Sequence, residues 1–278
     1  MTIFHNVEEL KGNITSMNDK LEGFHAVITG GSSGLGFEMA KTLLSHGAVV
    51  AIAARSGEKL DRAYTKLKAE GFNVHALEMD VRSEDSVAAA ADWIAENWVR
   101  IDMLVNNAGI GMSAADKDFA TAPAPFFKIR PEAFCDIVNT NFVGYFLVAR
   151  AFAPLMLRHG GGRIINVSTS IRTMTARGQL PYGPARAGAE AMSAIMTEEL
   201  KDYNITVNIL LPGGAADTGF VPDELRGFFE NRGLLPASVM NEAILFLASD
   251  KAAGMTGERI IAKDFHLWLE EKGIKPNL

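Results

Sequence analysis

The sequence is poor in the residues that cross-linked and metal-held proteins depend on. Its 278 residues include one cysteine, Cys135, so neither an intrachain disulfide nor a cysteine-based zinc site is possible within one chain. A reducing, cytoplasmic setting fits. Six histidines lack metal-ligand spacing such as HExxH, and no metal is expected in the chemistry. There is no Lys/Arg-rich run, the formal net charge is −6 and the pI about 5.6. Both facts argue against a nucleic-acid partner. The opening MTIFHNVEELKGNITSMNDK has neither the apolar core nor the basic start of a secretory signal. No apolar run reads as long enough to span a membrane. Repeats, low-complexity tracts and linker-like Pro/Gly/Ser breaks are absent too. What is left reads as a soluble protein of ordinary globular composition, 48% hydrophobic and 22% charged, long enough to bury a full core.

What is present alternates. FHAVITG (24–30), AVVAIAAR (48–55), NVHALEMDV (73–81), IDMLVNNAG (101–109), RIINVSTS (163–170), NITVNILLPGG (204–214) and a short run near 258–262 read as strands. Helical spacing occupies 34–48, 57–71, 83–98, about 131–158, the segment from Tyr182 to about 203, and about 237–248. Loops are expected near 110–130 and 214–235. Repeated β–α alternation implies right-handed crossovers and a parallel sheet covered on both faces. Residues 1–21 read as an extension before a single domain at 22–278.

The first strand runs into TGGSSGLG, Thr29 to Gly36. Gly30 permits the tight turn. Gly34 and Gly36 let backbone approach a phosphate and let helix pack on strand, with Ser32, Ser33 and Leu35 between them. In this strand–turn–helix setting the pattern predicts a dinucleotide site. The acidic residue that holds the ribose 2′-hydroxyl of NAD is expected about 20 residues on. Ala54 and Arg55 stand there instead. Arginine suits a 2′-phosphate through charge-assisted, forked hydrogen bonds, which predicts NADP(H) over NAD(H). The bland alternative is that Arg55 is a solvated loop cation.

TGGSSGLG, NNAG (106–109) and a Tyr-x-x-x-basic pair, in this order, resemble the short-chain dehydrogenase/reductase family, as do MDV (79–81), NFVG (141–144), RIINVST (163–169) and PGG (212–214). The resemblance covers roughly residues 22 to 262. It implies a Rossmann-type, doubly wound α/β fold with seven parallel strands in the order 3-2-1-4-5-6-7. It also implies that Asp80 and Val81 flank the adenine, that Asn107, Ala108 and Gly109 support the sheet and ribose side, and that Pro212 and Gly213 pass near the nicotinamide. Asn141 matches the asparagine that kinks its helix and holds a proton-relay water. Thr169 matches the hydroxyl that orients the substrate oxygen, with Ser168 and Ser170 beside it as rival assignments or all three as turn residues. Tyr182 matches the acid–base tyrosine.

Arg186 departs from the family pattern, which has lysine at this position. Four residues after Tyr182 on a helix, it lies one turn along the same face. A nearby cation favours a phenolate. Arginine is bulkier and planar, and it cannot release a proton. It either serves Tyr182 and the ribose in place of lysine or turns outward to solvent. Three functions follow. The first is an NADP(H)-dependent oxidoreductase acting on a ketone, aldehyde or alcohol. The second is a non-catalytic nucleotide-binding regulator or partner. The third is a lyase resembling the halohydrin dehalogenases, which use Ser, Tyr and Arg but lose the glycine loop.

The segment 111–134 is longer than the family's usual connection and carries Met112, Phe119, Phe126 and Phe127. It either lines a cleft for an apolar or aromatic substrate or packs itself down. Residues 215–229 match the family's mobile substrate lid. The ending 257–273 departs from the family and reads as a charged tail. Helices near 131–158 and 183–203, with small Gly188 and Ala189, are the pair the family uses for a homodimer or homotetramer.

Overall fold

The computed structural model describes residues 20–55 and 57–275; the expected extension, 1–21, lies almost wholly outside them. Seven parallel strands form one sheet: β1 His25–Thr29, β2 Val49–Ala54, β3 Val74–Glu78, β4 Met103–Asn106, β5 Gly162–Val167, β6 Ile205–Leu211 and β7 Arg259–Ile261. Their order is β3-β2-β1-β4-β5-β6-β7, the expected doubly wound topology. The reversal lies between β1 and β4, where Ala26 pairs with Met103 and Ile28 with Val105. Ligands of such sheets bind beyond the strand ends at this switch point.

Helices α1 Gly34–Ser45, α2 Glu58–Ala69 and α3 Glu84–Asn97 follow the first three strands. Helix α4, Pro131–Val138, starts with a proline at its first position and continues through a π turn, Asn139–Val143, into α5, Gly144–Arg158. A short α6, Ile171–Thr175, precedes the long α7, Tyr182–Leu200. The last three are α8 Arg226–Glu230, α9 Asn241–Ala248 and α10 Phe265–Glu271. Apolar side chains cover both faces of the sheet. Met39, Leu43, Ile244 and Phe246 pack on one side, and Ile94, Val148, Phe152 and Met156 on the other.

Two expectations fail. Pro131–Arg158 is in fact long and apolar enough to cross a membrane, but half of its apolar window is buried inside the domain. Its apolar character serves the core: Ile137, Val148 and Phe152 are fully buried. The charged tail is a helix with an aromatic inner face. Trp268 of α10 stacks on Phe265, and both rings pack against Phe246 of α9. Seven charged residues from 258 to 272 masked this amphipathic spacing in the sequence.

Candidate functional site

At the end of β1 the chain turns through Gly30 (φ +65°) and Gly34 (φ +55°), left-handed conformations that favour glycine. A Cβ at Gly30 would lie 2.9 Å from Ala108 Cα. One at Gly36 would lie 2.5 Å from the Asn107 side-chain nitrogen. The glycine loop is therefore closed against the end of β4. Asn107 Nδ2 donates to the carbonyls of Thr29 (2.9 Å) and Gly30 (3.3 Å). Thr29 Oγ1 accepts from the Asn107 and Ala108 amides, each at 2.9 Å. These bonds join residues nearly eighty positions apart and fix the switch point.

Gly30, Ser32, Ser33, Gly34 and Leu35 line a cavity of about 850 Å³, as do Asn107, Ala108 and Gly109. Gly36 lies behind the loop and off the wall, so its part is to let α1 pack. At one end of the cavity stand Arg55 and, from the first turn of α2, Lys59. Asp80 and Val81 line the same end. The Asp80 carboxylate is held by Arg82, with Nη2 2.7 Å from Oδ2. That bond keeps its pKa below the ordinary carboxylate value.

Tyr182, Thr169, Pro212 and Gly213 (φ +92°) line the other end. Tyr182 is the first residue of α7 and Arg186 lies one turn on. Arg186 does not turn outward: it is 2% exposed. Its Nη1 donates to the Tyr145 hydroxyl at 2.6 Å and to the Val167 carbonyl at 2.9 Å. The guanidinium carbon lies 5.3 Å from the ring centres of both Tyr145 and Tyr182. Among the described residues no carboxylate pairs with it. Burial alone would disfavour the charge, but attraction to Tyr145 and Tyr182 outweighs that and raises the pKa above the ordinary arginine value. Its Nη2 points at Gly109, where a Cβ would come within 2.6 Å. Its Nε is buried with no hydrogen-bond partner among the described residues.

The three hydroxyls after β5 are in different states. Ser168 Oγ donates to Glu190 at 2.5 Å. Ser170 Oγ caps α6, accepting from the Thr173 amide at 3.1 Å. The Thr169 hydroxyl is the one without a hydrogen bond among the described residues. Asn141 is fully buried behind the cavity wall in the π turn, which is the expected kink. Its side chain clamps Ile110, accepting from the amide and donating to the carbonyl, each at 2.9 Å.

All of the residues expected for a nucleotide and for acid–base chemistry except Gly36 and Asn141 thus line one cavity. Residues 24–225 match the short chain dehydrogenase family model. The chain belongs to that family. An uncharacterized oxidoreductase, YxjF, from Bacillus subtilis (strain 168) is 29% identical over 85% of this chain and 95% of its own. The 3-oxoacyl-[acyl-carrier-protein] reductase FabG of Pseudomonas aeruginosa is 32% identical over 86% of this chain and 96% of its own. A short-chain type dehydrogenase/reductase from Mycobacterium marinum superposes with a TM-score of 0.77 at 27% identity, covering 88% of this chain and 96% of that one.

Against the short-chain dehydrogenase pattern, the loops of this member depart from expectation. Phe126 and Phe127 are 71% and 72% exposed, pack edge-to-face on each other, and stay off the cavity wall. Met112 and Phe119 do line it, joined by Phe220 and Phe229 of the lid. Phe119 and Phe229 face each other with ring centres 6.3 Å apart. Gly188 and Ala189 serve packing within the chain: Ala189 is buried, and a Cβ at Gly188 would touch Phe142 at 3.5 Å.

Sequence reasoning missed Tyr145, Lys59 and the Glu190–Arg259 pair. Arg259 Nε lies 3.0 Å from Glu190 Oε2, and its Nη2 donates to the Thr169 carbonyl at 2.8 Å. The sequence holds a signal for Lys59, four residues after Arg55 in a first helical turn. It holds none for the other three, whose partners are 22 to 90 residues away.

Proposed function

We propose that the protein is an NADP(H)-dependent oxidoreductase that interconverts a ketone or aldehyde and an alcohol on an apolar or aromatic small molecule. One observation carries this reading: a single cavity runs from Arg55 and Lys59, along the glycine loop, to Tyr182 and Thr169. The residues fit a dinucleotide. The loop keeps backbone where a phosphate must approach, and α1 has no acidic residue in its first turn. Two basic side chains suit a 2′-phosphate. Arg186 Nη2 lies on the ribose side, beside Gly109.

When bound, the nicotinamide supplies or accepts the hydride. The chain's part is proton transfer and orientation. Thr169 donates to the substrate oxygen. Tyr182 protonates that oxygen in reduction and removes the proton in oxidation. Arg186 gives fixed positive charge beside the Tyr182 oxygen as negative charge develops there. Because arginine does not release a proton, Arg186 is not itself a member of the relay that reprotonates Tyr182. Met112, Phe119, Phe220 and Phe229 make the substrate end apolar. The charged lining residues other than Arg186, namely Arg55, Lys59, Asp80, Arg82 and Asp136, belong to the glycine-loop and β3 side. The named activity of the FabG relatives, reduction of a 3-oxoacyl group, supports carbonyl reduction. A cytoplasmic homodimer or homotetramer is part of this proposal, built on α5 and α7, which expose Phe146, Leu157 and Ile195.

The test is a titration of the purified protein with NADPH and NADH, followed by bound-nucleotide fluorescence. Micromolar binding of NADPH with much weaker NADH is expected, then turnover on a panel of apolar and aromatic ketones. Binding without any turnover favours the regulator. No binding of either nucleotide sinks both readings and leaves the dehalogenase-like lyase.

A further inference from the structure

The lid is a strap held at both ends. Leu235 donates its amide to Ala215 and Asp217 donates to Leu235, each at 2.8 Å. Arg226 ties the strap to itself through Asp217 at 2.6 Å. Between these ties, Thr218 to Val221 descend onto the cavity. The Thr218 amide-side turn is closed by Phe220 N–H to Thr218 Oγ1 at 3.3 Å and Val221 N–H to Thr218 O at 3.0 Å. Val221 is buried and anchors the descent.

Phe220 is placed where side chains are missing from the opposite wall. A Cβ built at Gly111 would stand 3.1 Å from the Phe220 ring, and one at Gly109 would stand 3.3 Å from its Cζ. The same position at Gly109 is 2.6 Å from Arg186 Nη2 and 2.7 Å from Asn141 Oδ1. The ring therefore lies against bare glycine backbone beside the guanidinium, at the Tyr182 end of the cavity. It is 40% exposed, so it is neither part of the core nor free in solvent. A nicotinamide within hydride reach of a substrate oxygen on Tyr182 and Thr169 needs this same space. The ring's glycine contacts are at Gly109 and Gly111, whereas Arg55, Lys59 and Asp80 line the cavity on the β2 and β3 side.

We propose that Phe220 is a specificity-determining residue that grades nucleotide binding along the cavity. In the free protein its ring occupies the nicotinamide end, and the nicotinamide riboside half binds by displacing it, while the adenosine half binds unhindered. The proposal rests on the NADP(H) reading. Only the fraction of molecules with the ring displaced accepts the whole dinucleotide, so the apparent affinity is lowered by that fraction. A ligand confined to the adenosine half is not affected. The displacement is feasible because the ring makes no hydrogen bond and the strap's fixed points lie elsewhere, at Ala215–Asp217 and Leu235.

The experiment is calorimetric titration of the wild type, Phe220→Ala and Phe220→Leu with NADPH and with adenosine 2′,5′-bisphosphate. The bisphosphate is expected to bind all three proteins equally, which also reports an intact site. NADPH is expected to bind Phe220→Ala roughly threefold to tenfold more tightly than the wild type, with Phe220→Leu between them. Equal or weaker NADPH binding by Phe220→Ala, with the bisphosphate unchanged, overturns the role of Phe220 and leaves the NADP(H) reading standing. Loss of both ligands in Phe220→Ala also overturns it, since the ring then supports the site. A wild type that binds neither ligand overturns the nucleotide reading and this proposal together.

Discussion

Arg186 and Tyr145 form a buried pair across two helices, the guanidinium donating at 2.6 Å to the phenol oxygen. The phenol in turn donates to Val167 O at 3.1 Å, and Arg186 donates to that same carbonyl. Both of the arginine's bonds come from one nitrogen, Nη1. What lysine lacks is the planar group that lies 5.3 Å from the ring centres of both Tyr145 and Tyr182. Arg186→Lys is expected to lower unfolding free energy by about 1–3 kcal/mol, and Tyr145→Phe by about 1 kcal/mol. Urea denaturation checks both. A lysine variant as stable as the wild type, with faster turnover, would show the arginine to be a handicap.

Glu190 holds Ser168 and Arg259 together, and Arg259 holds the Thr169 carbonyl. Glu190→Ala leaves the partly buried Arg259 guanidinium without its carboxylate and the buried Ser168 hydroxyl without its acceptor. It is expected to cost about 2 kcal/mol of stability and to raise KM for the carbonyl substrate more than it lowers NADPH affinity. Equal effects on both ligands would place Glu190 in the fold alone.

Gly36 has no room for a methyl group, because the Asn107 side chain lies 2.5 Å from the position a Cβ would take. Gly36→Ala should push the loop off Asn107, cost about 1–3 kcal/mol and weaken nucleotide binding sharply. Thermal melts with and without NADPH measure both. A variant that melts like the wild type and keeps its NADPH-induced shift would refute the close approach.

The aromatic residues of the long loop divide by position. Phe119→Ala, on the cavity wall opposite Phe229, is expected to raise KM for an aromatic ketone about tenfold through lost apolar contact. The double change Phe126→Ser and Phe127→Ser should leave KM and substrate preference unchanged. A shift in preference with the double variant would put these exposed rings back in the cleft.

His75 lies on β3 between the Trp93 and Trp98 rings. Burial first, then the charges of Lys68 and His25, lower its pKa from 6.5. The folded state then binds fewer protons than the unfolded chain. The stability linked to His75 is fully present above pH 6.5 and is lost as pH falls from there through the folded value. The Tm should fall below pH 6.5, and His75→Gln should flatten that part of the profile. An identical pH profile in the variant would rule His75 out.

Much of the site was readable because its signals are local. The turn at Gly30 and Gly34, the strand ends at Arg55 and Asn107, and the one-turn spacing of Tyr182 and Arg186 each depend on a few neighbouring residues. Thr169 was readable only as one of three adjacent hydroxyls. Separating them took Glu190, which reaches back 22 residues to Ser168, and the helix cap at Ser170. Phe126 and Phe127 were left open between cleft and packed loop because aromatic composition does not say which way a loop faces. The helix Pro131–Arg158 was read with the right bounds, but its membrane-spanning length was missed because polar residues that sit in the π turn interrupt its apolar stretch.

The sequence alone determined the α/β class, the glycine loop, the absence of an acidic residue after β2, and the arginine in place of lysine. These follow from backbone conformation and periodicity, which act over one or two turns. Tertiary structure decided where Arg186 points and what holds it, which hydroxyl is free, and which aromatic rings meet the cavity. Those outcomes depend on contacts between segments tens of residues apart. There, the need to partner buried polar groups and to fill space selects one arrangement from several that the local sequence permits.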